Sequence, residues 1–382
     1  MRRATDGWAL ALWVGSRLLV LFSAVVALGS AIVLSQHWLQ WDAALLVEIA
    51  RYGYEGNPNG NPDPGLPGFL PGVPLLLRLV HLVVPNWALA GLLISLVAGA
   101  VAMVALARLG DFEFLLAGGA PAQTARHGVG IRAVIFCVLS PYAVFLAVGY
   151  TEATFLAFAL PAWLCARKEK WLAAGVLTAL ATTVRVTGLF LAIALVIMYI
   201  FERSHEEPGV HAAQRGSLLR TGGHACALAL PAIPVVAFSV YLHGITGDWL
   251  AWLHAQEAGW GRTFTMPWDA FATTWQSAWS GPFMVAFRGE LVAALVGVAL
   301  CLLLLFRGRW AEFFYVGLQV GALVTSAYYL SVTRSTLLWW PLWLLLARAS
   351  MRHGWLLPVY AVLATPLMAW YTARFVHGAW AG

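Results

Sequence analysis

Charge is scarce in this chain of 382 residues: Asp, Glu, Lys and Arg make up only 10% of it, where a soluble domain carries about 25%. That shortage excludes an ordinary water-solvated surface around a single core. Cysteine is scarce too. Cys137, Cys165, Cys226 and Cys301 all fall in or at the ends of apolar stretches. They form no CxxC pair and no His/Cys spacing suited to a metal or a disulfide framework, so they read as small buried hydrophobes. A Gly-rich phosphate loop, a P-loop and a dinucleotide fingerprint are all missing. An activated substrate for this chain must therefore arrive by way of the membrane. No internal repeat is evident, and no linker is long enough to set off a soluble domain, so residues 1–382 read as one transmembrane unit.

What is abundant is apolar surface. Hydrophobic residues reach 61% of the chain, and the mean hydropathy is +0.77. The apolar runs predict spans near 8–34, 87–107, 131–148, 151–166, 171–184, 189–201, 222–243, 288–306, 312–330, 336–348 and 355–371, about eleven in all. The expected fold is thus all-α and polytopic. The first run, Trp8 to Leu34, exceeds the 7–15 residues of a signal-peptide core and reads as a retained span. The stretch 69–84 is interrupted by Pro71, Pro74 and Arg78, and is expected to lie along the interface as a juxtamembrane helix.

The net charge of +6 does not point to nucleic acid, because the basic residues cluster at the ends of apolar runs, where they act as topology signals. With the N-terminus in the cytoplasm, fifteen of the 23 Lys and Arg residues fall inside, including Arg2/Arg3, Arg167/Lys168 and Arg307/Arg309. Seven fall outside, and Arg17 lies within the first span. The 20 tryptophans, many near span ends, suit an interfacial aromatic belt.

That orientation gathers polar residues on the extracytoplasmic face, in an outer loop at 35–86 and another at 244–287. Asp42 opens a short amphipathic stretch. It reads either as a helix N-cap or as a general base that takes a proton from an acceptor hydroxyl, and the two roles are compatible. Glu152 stands at the lip of two apolar helices, a costly position unless it is paired or faces a polar cavity. Arg185, Arg262 and Arg334 come from three distant segments to the same side. Each alone reads equally well as a residue snorkelling to lipid phosphates, but several guanidiniums together make a bidentate phosphate grip. His243 and His254 lack the partners of a metal-ligand set.

Trp41-Asp42 followed by Ile49-Ala50-Arg51-Tyr52-Gly53-Tyr54 resembles the first luminal loop of the PIG-V type, GPI mannosyltransferase 2. Phe69-Leu70-Pro71-Gly72-Val73-Pro74-Leu75, Ser140-Pro141 with Tyr150-Thr151-Glu152, and Thr183 through Gly188 are similar in order and spacing. So are Gln256 through Trp260 with Arg262, and Thr333-Arg334. The pattern departs at Gly72, where an aromatic residue or leucine is common, and at Val332-Thr333-Arg334, in place of Pro-Arg-Phe. The resemblance implies a GT-C glycosyltransferase bundle with an extracytoplasmic active site and a polyprenyl- or dolichyl-phosphate-mannose donor. It implies no obligatory metal or other cofactor, and Asp42 as catalytic base. The compact length suits a bacterial plasma-membrane member. Arg334, Arg185 and Arg262 are then the donor-phosphate candidates, with Glu152 as the second carboxylate toward the acceptor, a lipid or a protein. Trp41, Tyr54, Gln256 and Trp260 are the candidates to face the sugar.

The alternative from another class is a transporter or lipid flippase, for which repeated half-structures and midplane charges would be expected. A non-catalytic membrane scaffold would explain the aromatic belt and the topology but not the outer polar cluster.

Overall fold

A computed structural model describes residues 2–29, 36–119, 128–204 and 218–381. Its helices are α1 (Arg2–Leu28), α2 (Asp42–Tyr52), α3 (Gly72–His81), α4 (Trp87–Leu116), α5 (Val129–Val138) and α6 (Glu152–Ala166). They continue with α7 (Trp171–Val184), α8 (Gly188–Ser204), α9 (Leu218–Ala229), α10 (Ala232–Thr246), α11 (Ala251–Trp260) and α12 (Pro267–Ser277). Last come α13 (Met284–Phe306), α14 (Trp310–Val324), α15 (Val332–Ser335), α16 (Trp340–Arg352) and α17 (Leu356–Val376). The one β feature among the described residues is an isolated antiparallel bridge between Phe264 and Ser326. The expected all-α class is borne out.

The expected count of spans is not. Each apolar run contains a helix, but among the described residues only α1, α4, α13 and α17 are long and apolar enough to cross a bilayer, with α9 and α10, bent by 40°, as a fifth. Helices α5, α6, α7 and α14 run 10 to 15 residues, or roughly 15–22 Å at 1.5 Å per residue, against a hydrocarbon core of ~30 Å. The run 131–148 shows why the two counts differ. Helix α5 stops at Val138, before Ser140-Pro141, and the chain resumes as a 3-10 turn at Ala143–Leu146. Proline cannot donate the next helical hydrogen bond. The tail of the first expected span, 30–34, residue 35 of the outer loop, and Arg126 and Arg215 of the inner basic set lie outside the described residues.

Helix α4 packs against α1, α5 and α6, and its buried face is built of small residues such as Ala98, Gly99, Ala102, Ala107 and Gly110. Small residues let helix backbones approach closely, the usual glue of helix pairs in lipid. At Gly130 of α5 a Cβ would come within 1.9 Å of the Ala107 carbonyl oxygen, so glycine is required there. Leu18, Phe22, Val26, Val292, Leu295, Val362 and Leu363 cover the outward faces of α1, α13 and α17 with exposed apolar side chains, a surface that only lipid can bury. The protein is a multi-pass membrane protein. Arg17, the one charge expected within a span, is held inside the bundle. Its Nη1 donates to the Ala143 carbonyl at 2.9 Å, and its guanidinium lies 4.2 Å from the Trp13 ring centroid.

Helix α3 has the interfacial character expected of residues 69–84: its 10 residues are too few to span. It docks on α2 and on the end of α7. Arg78 Nε donates to the Ala50 carbonyl. A Cβ at Gly72 would meet the Thr183 carbonyl oxygen at 2.7 Å, which gives the Gly72 departure a physical reason. The same docking brings the α7 end, with Arg185, toward the start of α2.

Candidate active site

Five chain segments deliver one charged residue each to the end of the bundle where α2 and α6 begin. Asp42 is the first residue of α2. It is not the N-cap expected of it: that position is Trp41, which makes no side-chain cap hydrogen bond and has φ 52 and ψ −124. A positive φ on a tryptophan stores strain of order 1–3 kcal/mol, a feature that concentrates at functional sites. The Asp42 carboxylate turns to the far end of the chain, where Arg334 Nη1 donates to its Oδ2 at 2.6 Å.

Glu152, the first residue of α6, is fully buried. Its Oε1 accepts from Arg185 Nη1 at 2.8 Å and lies 3.7 Å from Arg334 Nε. Arg185, in extended conformation just past α7, also donates from Nη1 to Thr151 Oγ1 at 2.5 Å. The other Glu152 oxygen, Oε2, is buried and makes no hydrogen bond. Arg334 is further enclosed by Tyr150, whose ring centroid is 5.3 Å from its guanidinium. Burial opposes the Arg334 charge, but the carboxylates of Asp42 and Glu152 outweigh it and hold its pKa above the ordinary arginine range.

Arg262 differs from both. Among the described residues no carboxylate pairs with it. Its Nη1 donates to Gln256 Oε1 at 3.3 Å and its Nη2 to the Leu330 carbonyl at 3.4 Å, while Nε is buried without a partner. Burial, reinforced by Arg334 and Arg185, pushes its pKa down to about 10, with Asp42 acting the other way. The guanidinium therefore stays charged at neutral pH while lacking a counter-charge, the condition that favours an incoming anion. In this cluster three guanidiniums face two carboxylates. The Asp42 side chain is 10% exposed, whereas that of Glu152 is 0% exposed, so Asp42 is the acid within reach of an entering substrate.

The Arg334 turn has an anchor that the sequence reading missed. Ser331 takes the left-handed conformation at φ 66 and opens α15. Glu290 of α13, also buried, receives the N–H groups of Ser331 at 3.0 Å, Val332 at 2.7 Å and Thr333 at 3.2 Å. The Thr333 hydroxyl adds a fourth bond at 3.1 Å. A carboxylate inside the apolar run 288–306 was the available signal, since such a group is costly without partners.

The sugar candidates scatter. Trp41 is half exposed and meets Trp380 edge-on at 5.2 Å. Gln256 joins the site through Arg262 and holds the Gly68 carbonyl through Nε2 at 3.1 Å. Trp260 packs edge-on against Phe69 at 5.2 Å. Tyr54 stands apart from the acids, donating to the Phe69 carbonyl at 3.0 Å and packing against Phe238 and Tyr241. His254 is held by Asp248 at 2.6 Å and His243 stacks on Trp249. Among the described residues no three His, Cys, Asp or Glu side chains gather as a metal cluster.

A family model described as mannosyltransferase (PIG-V) matches residues 13–207, a stretch that includes Asp42, Glu152 and Arg185 and ends before Arg262, Glu290 and Arg334. Among solved structures the chain is similar to ArnT from Cupriavidus metallidurans bound to undecaprenyl phosphate. The identity is 13%, the match covers 97% of this chain and 78% of that one, and the TM-score is 0.43. No curated protein matches the chain.

Proposed function

The chain belongs to the PIG-V mannosyltransferase family and is a membrane glycosyltransferase, and on that premise we propose that it transfers mannose from a polyprenyl-phosphate donor to a hydroxyl of a lipid or protein. Transfer occurs with inversion, on the extracytoplasmic side of a bacterial plasma membrane. The outer placement follows the inward bias of the basic residues, with the N-terminus in the cytoplasm.

The observation that carries this reading is the Asp42–Arg334 pair beside an Arg262 that lacks a carboxylate partner. Arg262 grips the donor phosphate, and Arg334 and Arg185 reinforce it. Asp42 removes the proton of the acceptor hydroxyl as its oxygen attacks the anomeric carbon. The bond from that carbon to the phosphate oxygen breaks, and the electron pair leaves with polyprenyl phosphate. The sugar passes through an oxocarbenium-like state, as in glycoside chemistry generally. The guanidiniums stabilise the second negative charge as it grows on the phosphate, the electrostatic role that is usually the largest in catalysis. This division of labour leaves no step that calls for a metal, and transfer is expected to persist in a chelator. Glu152, fully buried, holds Arg185 and Arg334 in position for the phosphate grip. Trp41 and Gln256 line the approach.

The test is transfer of radiolabelled mannose from polyprenyl-phosphate-mannose by purified, reconstituted protein, wild type beside Asp42→Asn. Loss of a general base costs roughly 10²–10⁴ in rate. Equal transfer by both proteins would move the base elsewhere, with Glu152 next in line. Transfer by neither, in preparations that remain folded, would sink the donor assignment.

A further inference from the structure

The strongest feature that the active site does not use lies at the other end of the same helices. Helix α6 carries Glu152 at its start and is followed by Arg167 at its end. Its 15 residues put the two about 22 Å apart at 1.5 Å per residue. Helix α13 likewise runs from Glu290 near its start to Phe306, just before Arg309. At that far end a cavity of about 760 Å³ is lined by Glu113, Arg167, Arg309, Glu312 and Arg348 together with apolar side chains of α4, α8 and α14.

Its charges do not close on themselves. Glu113 serves three arginines, with Oε1 2.6 Å from Arg167 Nε and Oε2 3.5 Å from Arg309 Nη2 and 3.9 Å from Arg348 Nη2. Arg309 also pairs with Glu312. Among the described residues that line the cavity, three guanidiniums face two carboxylates. Arg348 carries the shortfall: both its Nε and its Nη2 are buried and make no hydrogen bond. Buried donors without a partner are the exception in folded proteins, and each calls for an explanation. The other walls are apolar and open: Leu116, Phe201 and Trp310 are all exposed.

We propose that this cavity binds the phosphate of an anionic membrane phospholipid, with Arg348 as its main donor and an acyl chain lying along Leu116 and Phe201. A phosphate accepts two parallel bonds from one guanidinium, one at each of two oxygens, and basic pockets between transmembrane helices are suited to lipid headgroups. The apolar wall selects a lipid over the free anion. The cavity and the catalytic cluster are separate sites, so this assignment stands or falls independently of the donor and acceptor proposed above.

Native mass spectrometry of the purified protein in detergent, titrated with phosphatidylglycerol and, as charge control, phosphatidylcholine, tests it. Arg348→Gln removes the unpartnered donors and leaves Glu113 paired with Arg167. It is expected to weaken phosphatidylglycerol binding about tenfold, with phosphatidylcholine unaffected and mannose transfer retained, because a charge-assisted bond contributes about 1.5–3 kcal/mol. Leu116→Trp fills the apolar part of the cavity without touching a charge and is expected to displace the lipid as well, so it carries the test should Arg348→Gln fail to fold. Undiminished phosphatidylglycerol binding by the folded variants overturns the proposal. Displacement of the lipid by millimolar inorganic phosphate would show that the free anion is the ligand, and would overturn the lipid assignment.

Discussion

Replacing Glu290 by glutamine should damage the active site without touching a residue that meets substrate. Val332 and Thr333 donate their N–H groups to Oε2, at 2.7 and 3.2 Å, while Ser331 N–H and the Thr333 hydroxyl donate to Oε1. Glutamine keeps one acceptor oxygen and sets an NH₂ group against two donors. Each lost charge-assisted bond is worth about 1.5–3 kcal/mol, so roughly 3 kcal/mol is the least the turn should lose. The turn carries Arg334, and Arg334 holds Asp42. A misplacement of about 1 Å in such a positioned group costs on the order of 100-fold in rate.

The expectation is a kcat about 100-fold lower for Glu290→Gln with a smaller rise in the donor KM, because Arg262 keeps its Gln256 bond but also rests on the Leu330 carbonyl beside the same turn. The assay is mannose transfer by reconstituted protein with kcat and KM measured separately. Glu290→Asp, which keeps the charge and both oxygens on a shorter arm, should recover part of the loss. A merely structural role would lower yield and thermal stability and leave the kcat of the folded fraction intact. A kcat within about threefold of wild type, with KM unchanged, would refute the reasoning, because uniform binding and transition-state interactions separate in this way.

Removing one partner of a buried pair leaves an uncompensated charge, costing about 3–5 kcal/mol. Arg185→Gln, which leaves the fully buried Glu152 only its 3.7 Å contact with Arg334, should therefore lower the melting temperature. The double variant Arg185→Gln with Glu152→Gln should regain stability but not transfer. Donor-phosphate affinity should be complete below pH 10 and fall as pH rises through about 10, where Arg262 loses its charge. Arg262→Gln should abolish that dependence. Tyr54 and Tyr150, pushed above the usual tyrosine range by burial, do not titrate in that window.

The sequence exposed the site's chemistry more fully than its geometry. Asp42, Glu152, Arg185, Arg262 and Arg334 stood out because a charge beside an apolar run demands a partner, and the bundle brings Asp42 to Arg334 across 292 residues. The pairings themselves were not legible, since nothing in the composition distinguishes an arginine matched to a carboxylate from Arg262, which has none. Glu290 was legible in principle but was absorbed into the apolar run 288–306, read only as a span. Tyr54 was misleading because an aromatic residue in a loop looks available, whereas its hydroxyl is held by the Phe69 carbonyl. The span count and the helix lengths part where apolar content outruns helix length: α5 ends before Pro141, yet the residues on both sides remain hydrophobic enough to read as a single span.

The charge count of the cluster leads to a result opposite to the usual effect of removing a catalytic acid. The Arg262 guanidinium, without a carboxylate partner among the described residues, matches the single negative charge of a phosphodiester donor. As the phosphate gains a second charge, the acceptor proton neutralises Asp42, so the buried site keeps its net charge through the transfer. Asp42, with its side chain 10% exposed, can then release the proton to water, and its recovered carboxylate repels the dianionic lipid phosphate. Two unit charges about 5 Å apart interact by roughly 3 kcal/mol at an effective dielectric of 20. Asp42→Asn removes that repulsion and should bind polyprenyl phosphate at least about tenfold more tightly than wild type, while transferring mannose far more slowly. Tryptophan fluorescence titration of the two proteins in detergent measures the difference. Equal or weaker binding by the variant would mean that Asp42 does not drive product release, and that its carboxylate acts mainly to hold Arg334.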